Sequence, residues 1–543
     1  MANAVLFIVV LLVAVVAAAL AVFFAVSLSN EKKDDGKTLT SNKAIQTLCQ
    51  PTQFKETCEE SMASSNSTDP KELIRTEFQA TVAELKNLVE NSKTVKELQA
   101  DDNTKEAFRS CQELFDMSIQ DLERSFDKLG DEQTCIDSYE EMNGEAAEKM
   151  RSIMTKTMEL TRNGLTILNG LSSIAKDLNI PNISTMYASG LQQRRLLSEM
   201  NSEFPEWMSY SDRKLLQTAT EDLTPTMVVA KDGSGKYKTI GEAVAQIPKK
   251  NTQRVVIQIK AGVYEERVDI PKGLTKVMFI GDGPTKTIIT GSVSVDKTKP
   301  KPTTFHTQTV AVTGISFIAK DIAFENSIGP EGHQAVALRA SGDMQAFYNC
   351  HFNGYQDTLY AHIGRQFYRD CTMTGTIDFV FGDARAVFQN CLLLVRKPMA
   401  NQNCIVIAQG KQYTESKGGY VFQNCTFSGD KDYLPLKGKN LSYLNRPWRE
   451  FATVIIMQSQ IDDIIQPVGY IPMNGDKGLE TSYYVEFGNR GPGSKTDQRA
   501  KWGGIKKVDE NGVKKFTPRI YLESETWVPQ TKIPIIPDMV SGV

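Results

Sequence analysis

Two short stretches of the sequence, GYQDTLY and GTIDFVFG, place acidic and amide side chains where they could do chemistry together. The first contains Gln356 and Asp357, the second contains Asp378, and Gln334 lies 22 positions before Gln356 (356 minus 334). Two neighbouring carboxyl groups can carry out hydrolysis when one is ionised and attacks while the other keeps a proton for the leaving group. Glutamine amides can donate hydrogen bonds to the oxyanion that forms. These four residues predict a hydrolase that works through carboxylates.

A purely structural explanation exists for the same residues. Polar ladders are common inside repetitive β folds and need no catalytic role. Carboxylates on adjacent coils repel each other, however, unless a cation, a shared proton or a catalytic task compensates. The four histidines show no Ser-His or Cys-His arrangement around a nucleophile, and no metal-ligand spacing stands out. We therefore expect carboxylate chemistry without a metal.

A repeat of aromatic and cysteine residues in the same region predicts the fold that positions the acids. The unit is Phe-x-x-Cys, and its second copy has one inserted residue: Phe347–Cys350, Phe367–Cys371, Phe388–Cys391 and Phe422–Cys425. A period of about 20 to 25 residues among short β-branched runs is typical of a solenoid. We predict an all-β right-handed parallel β-helix over residues 219–543.

Equivalent positions on successive coils of a β-helix lie about 4.8 Å apart. Gln334, then Gln356 with Asp357, and then Asp378 would fall on three consecutive coils. Cys371 and Cys391 would lie close enough for a disulfide bond between coils. A ladder of free buried thiols is the alternative.

The amino-terminal half differs in both charge and pattern. Residues 1–216 carry 23 Lys and Arg against 33 Asp and Glu, whereas residues 217–543 carry 39 against 32. Apolar residues at three- and four-residue spacing predict an all-α antiparallel helical bundle over residues 37–185. Four cysteines in this half are expected to form disulfides, with buried thiols as the alternative: Cys49, Cys58, Cys111 and Cys135.

A segment with little periodicity, residues 186–218, joins the two halves and contains two similar basic sites. These are RRLL, with Arg194 and Arg195, and RKLL, with Arg213 and Lys214. Dibasic pairs in linkers are usually only solvated charge. Two copies at the boundary between an acidic and a basic half predict proteolytic processing.

The first 30 residues contain an apolar run from Val5 to Leu28, which is long enough to span a bilayer. We expect a signal-anchor, with a cleaved signal peptide as the alternative, and membrane contact only through residues 5–28. Lys32 and Lys33 follow the run and would by the positive-inside rule leave the rest of the chain in the cytosol. The cysteines and four Asn-x-Ser/Thr sequons favour a lumenal route instead: Asn66, Asn182, Asn424 and Asn440.

Five motifs occur in the order and at the spacing of the plant pectin methylesterases: GVYEE, GHQAVALR, GYQDTLY, GTIDFVFG and YLNRPW. The chain resembles this family from about residue 224 to residue 537, and the acidic half resembles its inhibitor domain. The resemblance implies hydrolysis of the methyl esters of homogalacturonan (pectin) through an aspartyl acyl-enzyme. Asp378 would be the nucleophile, Asp357 the proton donor and acceptor, and Gln334 and Gln356 the oxyanion hole.

The resemblance implies further roles. Arg446 would bind Asp378, Trp448 and Thr304 would contact the substrate together with Gln334, and Cys371 and Cys391 would form a disulfide. No metal or organic cofactor and no nucleic acid is implied. The inhibitor-like half would cover the cleft in the secretory pathway, in the Golgi membrane or lumen, until a subtilase-type protease released the enzyme to the cell wall. Separate inhibitor proteins are further candidate partners.

Two departures from the family pattern stand out. Asn445 replaces the usual glycine beside Arg446, and the interval from Cys111 to Cys135 is shorter than usual. The second departure bears on whether this half still inhibits. Other β-helix enzymes on pectin fit less well, because a lyase needs calcium-binding acids and a polygalacturonase needs acids spaced for a water molecule. An alternative of another class is a catalytically inactive pectin-binding protein of the cell wall, or an inhibitor that acts through the helical half.

Overall fold

The computed structural model describes residues 41–68, scattered residues between 73 and 163, and residues 224–541 apart from 250 and 415. The chain divides into two compact units, Met1–Met208 and Ser209–Val543. Several expectations lie outside the described residues: the apolar run 5–28, Cys111 and Cys135, and the basic sites at Arg194, Arg195, Arg213 and Lys214.

In the first unit, two short helices are described, α1 (Ser41–Cys49) and α2 (Lys55–Met62). Their apolar residues form a small buried cluster together with Leu73. A disulfide joins Cys49 to Cys58, which confirms that pair of the expected cysteine bonds. Of the remainder of the predicted bundle, only scattered residues are described. None of the helices within the described ranges has the length and apolar character that a membrane span requires.

The second unit is a parallel β-helix, as predicted, in which three sheets share the same coils. Sheet 1 contains β1 (Met227–Val229), β2 (Val255–Ile259), β5 (Val277–Gly281), β8 (Ile318–Lys320), β11 (Gln345–Tyr348), β14 (Arg365–Arg369), β17 (Arg385–Gln389), β20 (Gly419–Gln423), β23 (Thr453–Met457), β25 (Tyr483–Phe487) and β26 (Ile505–Lys506). Sheet 2 contains β3 (Gly262–Glu265), β6 (Thr287–Gly291), β9 (Ala323–Asn326), β12 (His351–Asn353), β15 (Thr372–Gly375), β18 (Leu392–Val395), β21 (Thr426–Gly429) and β24 (Gln460–Ile461). Sheet 3 contains β4 (Val268–Ile270), β7 (Val310–Val312), β10 (Leu338–Ala340), β13 (Leu359–Ala361), β16 (Val380–Gly382), β19 (Cys404–Gln409) and β22 (Ser442–Asn445).

Helices cover parts of this solenoid. Helix α3 (Ile240–Ala245) begins with a capping box in which Thr239 and Glu242 satisfy each other's backbone N–H groups. Near the carboxyl end, α4 (Glu510–Lys514) and α5 (Pro518–Tyr521) belong to a segment that packs on the outer face of sheet 1. Phe516 and Trp527 of this segment shield the apolar outward residues of the sheet from water.

An aromatic ladder fills the interior of the coils, as the repeat predicts. Phe347, Tyr368, Phe388 and Phe422 stack face to face, with successive ring centroids 4.8, 4.6 and 4.5 Å apart. The expected place of Phe367 in this series was wrong, because Phe367 lies in the cluster on the other face of sheet 1. Tyr368 lies three residues before Cys371, so the second copy of the unit contains no insertion.

The cysteines also stack in register, but they are thiols. Cys350, Cys371, Cys391 and Cys425 are buried and unbonded to one another. The expectation of a disulfide between Cys371 and Cys391 was therefore wrong. The structure has the alternative, a ladder of free thiols. In an in-register parallel ladder the side chains run side by side, and each thiol meets a backbone carbonyl: Cys371 donates to Phe347 and Arg369, and Cys391 to Tyr368. A disulfide would require neighbouring side chains to turn toward each other.

Candidate active site

Two strands of sheet 3 position the acids. Asp357 lies two residues before β13 and Asp378 two residues before β16. These strands pair in parallel with Leu359 opposite Val380, which places the two acids on adjacent coils as predicted. Both residues have positive φ angles, 62° and 50°, a backbone conformation that is uncommon for residues with side chains and that occurs often at functional sites. Both carboxyl groups are buried.

Arg446 follows β22 directly and contacts Asp378 across the intervening strand β19. Its Nε donates to Oδ1 and Oδ2 of Asp378 at 2.9 and 3.2 Å, and its Nη2 donates to Oδ2 at 2.5 Å. The Asp378 side chain is 7% exposed and that of Arg446 is 21% exposed. A bidentate contact of this kind fixes the orientation of the carboxylate as well as its charge.

The electrostatics of this pair balance burial against charge. Burial raises the pKa of Asp378, and the charge and hydrogen bonds of Arg446 oppose this only in part, so the pKa stays above its ordinary value. Burial alone would lower the pKa of Arg446, but Asp378, with a further contribution from Asp357, raises it. A carboxylate with a raised pKa is a stronger base and nucleophile than an ordinary one, provided that it remains ionised beside the arginine.

The two glutamines lie on adjacent coils, as their spacing predicts. Gln334 and Gln356 form an isolated parallel β-bridge, and both are half-buried. The N–H of Ala335 donates to the carbonyl of Gln356 at 3.2 Å, which holds the two backbones together just before β10 and β13. Gln356 precedes Asp357 directly. The structure thus places Gln356 on the coil of Asp357 and Gln334 on the coil next to it.

An aromatic wall, formed by Trp448, Tyr360 and Phe381, extends from the same strands. Tyr360 stacks on Phe381 with ring centroids 4.2 Å apart, and Trp448 meets both rings at an angle, 6.3 and 5.9 Å away. Trp448 was predicted from the sequence, whereas Tyr360 and Phe381 were missed. A signal was present, because each lies three residues after an acid of the pair (360 minus 357 and 381 minus 378).

Thr304 lies in a short 3₁₀ turn, Thr304–His306, and is buried. Its neighbour Phe305 packs edge-on against Tyr360 at 6.4 Å, so the turn borders the aromatic wall. The guanidinium carbon of Arg339 lies 3.7 Å from the centre of the Phe305 ring and packs against the turn as well.

Asn445, the departure from the family pattern, ends β22 and is fully buried. Neither its Oδ1 nor its Nδ2 has a hydrogen-bond partner among the described residues. Within the same part of the chain, no group of His, Cys, Asp and Glu side chains has an arrangement that could hold a metal ion.

Comparisons with known proteins agree with this geometry. The pectinesterase family model matches residues 226–525, and the plant invertase/pectin methylesterase inhibitor model matches residues 43–167. The chain is 42% identical over 552 residues to the probable pectinesterase/pectinesterase inhibitor 21 of Arabidopsis thaliana, covering 96% of this chain and 80% of that protein. It is 47% identical over 388 residues to a pectinesterase of Petunia integrifolia, covering 71% of this chain and 98% of that one.

A solved structure is similar as well. The pectin methylesterase from carrot superposes with a TM-score of 0.57 and 42% identity, covering 60% of this chain and 100% of the carrot chain. The match in sequence spans nearly the whole chain, and the structural match spans the β-helix that carries the acids. The chain belongs to the pectinesterase family and has an amino-terminal domain of the plant invertase/pectin methylesterase inhibitor family.

Proposed function

We propose that the chain hydrolyses the methyl esters of homogalacturonan to free carboxylates and methanol, with Asp378 as the nucleophile. The observation that carries this proposal is the paired contact of Arg446 with Asp378, beside Asp357 on the adjacent coil. Arg446 stabilises the charge of the attacking carboxylate and aims it, and Asp357 is the second buried acid of the pair. One acid thus suits attack and the other suits proton transfer.

In the first step, an oxygen of the Asp378 carboxylate attacks the carbonyl carbon of the methyl ester. The negative charge moves to the ester carbonyl oxygen, which receives hydrogen bonds from the side-chain amides of Gln334 and Gln356. When the tetrahedral intermediate collapses, its bond to the methoxy oxygen breaks. Asp357 gives its proton to that oxygen, methanol leaves, and an anhydride links the galacturonosyl unit to Asp378.

In the second step, Asp357 is ionised and takes a proton from a water molecule. The resulting hydroxyl attacks the galacturonosyl carbonyl carbon, the same amides hold the oxyanion, and collapse breaks the bond to Asp378. The nucleophile is regenerated as a carboxylate beside Arg446. No metal or organic cofactor enters either step, because the two acids supply both the nucleophile and the proton.

The aromatic wall gives the polysaccharide a surface to bind. Sugar rings pack their C–H faces on aromatic rings, and Trp448 offers a half-buried indole beside the acids. The turn that contains Thr304 borders the same wall through Phe305. We assign Trp448, Arg446, Gln334 and Thr304 to substrate binding, and homogalacturonan as the partner of this surface.

The amino-terminal half has a regulatory role in this proposal. Residues 37–185 form the inhibitor-like domain, residues 186–218 the linker, and residues 219–543 the catalytic domain. The inhibitor-like domain keeps the enzyme inactive in the secretory pathway until a subtilase-type protease cuts at one of the two basic sites. The opposite net charges of the halves favour their association before cleavage. The released enzyme then acts in the extracellular cell wall.

Methanol release from highly methyl-esterified pectin tests this proposal. Two chains are compared: residues 37–543 with both basic sites replaced by alanines, and residues 217–543. Activity of the short chain alone indicates that the amino-terminal half inhibits. Equal activity of both contradicts the regulatory part, and activity of neither contradicts the catalytic assignment. An inactive pectin-binding protein would retain pectin binding in the last case, but the complete set of acids and amides argues against that alternative.

A further inference from the structure

A third acid, Asp383, lies on the same coil as Asp378, at the other end of β16, and takes no part in the steps above. It follows β16 directly and is half-buried. Its Oδ1 accepts a hydrogen bond from Nε2 of Gln409 at 3.0 Å, and its Oδ2 accepts one from Oγ of Ser416 at 3.3 Å. Removing an acid from water lowers the stability of the fold unless its hydrogen bonds compensate. The contacts of Gln409, the amide that Asp383 binds, therefore indicate the role of Asp383.

Gln409 ends β19 and bonds to the chain at Trp448 and again after it, at Thr453. Its backbone carbonyl accepts from the N–H of Trp448 at 3.2 Å. Its side-chain Oε1 accepts from the N–H of Thr453 at 2.7 Å and from that of Lys411 at 3.0 Å. Because two backbone donors fix the oxygen end of the amide, the nitrogen end must face Asp383. The acid thus completes the hydrogen bonding of the residue that anchors the Trp448 turn.

Close packing ties the β19–β20 connection, of which residues 410–414 and 416–418 are described, to the same two groups. A Cβ atom on Gly410 would lie 2.6 Å from Cε3 of Trp448, so the backbone of Gly410 touches the indole. A Cβ atom on Gly418 would lie 1.9 Å from Oδ1 of Asp383, so the other end of the connection touches the carboxyl group. The carbonyl of Lys411 accepts from the N–H of Phe451 at 2.9 Å and links the connection to the Trp448 turn once more.

We propose that Asp383 is a positioning residue for substrate binding: its carboxyl group holds the Gln409 amide and the β19–β20 connection, and through them sets the position of the Trp448 indole. The inference rests on the proposed function in so far as Trp448 binds the polysaccharide. Asp383 itself touches no reacting atom.

The protonation of this acid gives the arrangement a pH dependence. Burial raises the pKa of Asp383 to about 7, against opposing contributions from Gln409, Lys411 and Ser416. The other titratable groups that sense its charge are the phenols of Tyr420 in β20 and Tyr521 in α5. The neutral acid can donate through Oδ2 to Ser416 and still accept from Gln409 through Oδ1. The ionised acid must take up water to offset the cost of a charge that is partly removed from solvent, so above about pH 7 the connection loosens and the hold on Trp448 weakens.

Two substitutions, made in the full chain and assayed after cleavage at the basic sites, separate this role from a general effect on folding. Asp383→Ala removes the acceptor for Gln409, whereas Asp383→Asn keeps an acceptor for Gln409 and a donor for Ser416 without an ionisable proton. At pH 6 we expect Asp383→Ala to raise KM for methyl-esterified pectin by up to roughly tenfold, the upper end of what one neutral hydrogen bond contributes, with a much smaller change in kcat. Asp383→Asn is expected to restore KM. The KM of the wild-type protein is expected to rise above pH 7, and that of Asp383→Asn is not.

Tryptophan fluorescence provides a readout that does not depend on activity. The part of the emission that Trp448→Phe removes is expected to titrate near pH 7 in the wild-type protein and to stay constant in Asp383→Asn. If Asp383→Ala does not fold, Gly418→Ala displaces the connection from the carboxyl group instead. Gly438→Ala is its control, because a Cβ at Gly438 meets nothing within 4 Å.

Three results would overturn the inference: an unchanged KM in Asp383→Ala, an equal change in kcat and KM that Asp383→Asn fails to restore, or a Trp448 signal with the same pH dependence in wild type and Asp383→Asn. If no variant releases methanol, the proposed function is contradicted. If the Trp448 fluorescence still titrates in wild type and not in Asp383→Asn, the positioning role is supported even so.

Discussion

Replacing Arg446 by glutamine is expected to move the acid limb of the pH–activity profile upward. Arg446 supplies the three hydrogen bonds and the positive charge that oppose the effect of burial on Asp378. Glutamine can keep one hydrogen bond but no charge. The carboxyl group of Asp378 would then be protonated over a wider pH range, and a protonated carboxyl group cannot attack the ester.

The size of the shift follows from the burial of the pair. Removing one partner of a buried ion pair costs about 3–5 kcal/mol. The Arg446 side chain is 21% exposed, so the lower end of that range applies. About 1.4 kcal/mol corresponds to a factor of ten, so a loss of about 3 kcal/mol lowers the ionised fraction of Asp378 roughly a hundredfold wherever the acid is mostly protonated. Below the shifted pKa, each further pH unit lowers the ionised fraction roughly tenfold.

The assay is kcat/KM for methanol release from methyl-esterified pectin, measured with residues 217–543 from pH 4 to pH 9. Arg446→Gln is expected to lose most activity at pH 6 and to recover part of it at high pH. Arg490→Gln is the control, because Arg490 bonds to Asn424 and the carbonyl of Gln458, away from the acids. An acid limb that stays in place in Arg446→Gln, with activity lowered equally at every pH, would refute the claim that Arg446 acts through the ionisation of Asp378.

Three further predictions concern stability, each measured by urea denaturation of residues 217–543. Asn445→Leu is expected to stabilise the protein by about 1–3 kcal/mol, because it removes a buried amide without partners at similar volume; destabilisation would show that the amide is satisfied in solution. The pKa of Asp383 is raised to about 7 from an ordinary 3.8, so the folded state binds this proton more tightly than the unfolded state. The resulting stabilisation is complete below about pH 4 and is lost as the pH rises to about 7. The free energy of unfolding falls in this window by up to about 1.4 kcal/mol per pH unit. Asp383→Asn is therefore expected to flatten this part of the stability profile, and an unchanged slope would assign it to another group. Phe388→Ala removes the centre of the aromatic ladder and is expected to cost about 3–5 kcal/mol, whereas Val263→Ala, at a half-exposed side chain, costs almost nothing; similar costs at both positions would contradict the packing described.

Sequence spacing was sufficient to place the acids, because a β-helix repeats its backbone at each coil. Once Cys350 and Cys371 were taken as equivalent, Asp357 and Asp378 had to fall on neighbouring coils with their side chains at the same position. The pairing of Gln334 with Gln356 follows from the same argument. A repeat therefore converts a distance along the chain into a distance in space.

The same spacing could not decide matters that depend on side-chain direction. Phe367 and Tyr368 are adjacent aromatics, and only the alternation of the strand shows that Tyr368 faces the interior. Cys371 and Cys391 lie in register, but the register does not say whether the thiols turn toward each other or toward backbone carbonyls.

Contacts between distant segments were also beyond the reach of spacing. The resemblance to pectin methylesterases placed Arg446 beside Asp378, although 68 residues separate them in the sequence (446 minus 378). In sheet 3, strand β19 lies between the strands that position them. The network from Asp383 through Gln409 to Trp448 carried no recognisable sequence signal, because it combines backbone groups with one ordinary glutamine. Such a network can be recognised only from a three-dimensional structure, which shows where the backbone N–H groups and their acceptors lie.

The measurement that tests the central claim most directly is methanol release by residues 217–543 carrying Asp378→Asn. Asp370→Asn is the matched control, since Asp370 lies on the same coil and also has a positive φ angle, 53°, but contacts Arg369 rather than Arg446. The account predicts that Asp378→Asn lowers kcat by roughly a thousandfold or more while pectin binding persists, and that Asp370→Asn stays within about threefold of wild type. Substantial methanol release by Asp378→Asn would contradict the account, because the nucleophile would then be another group.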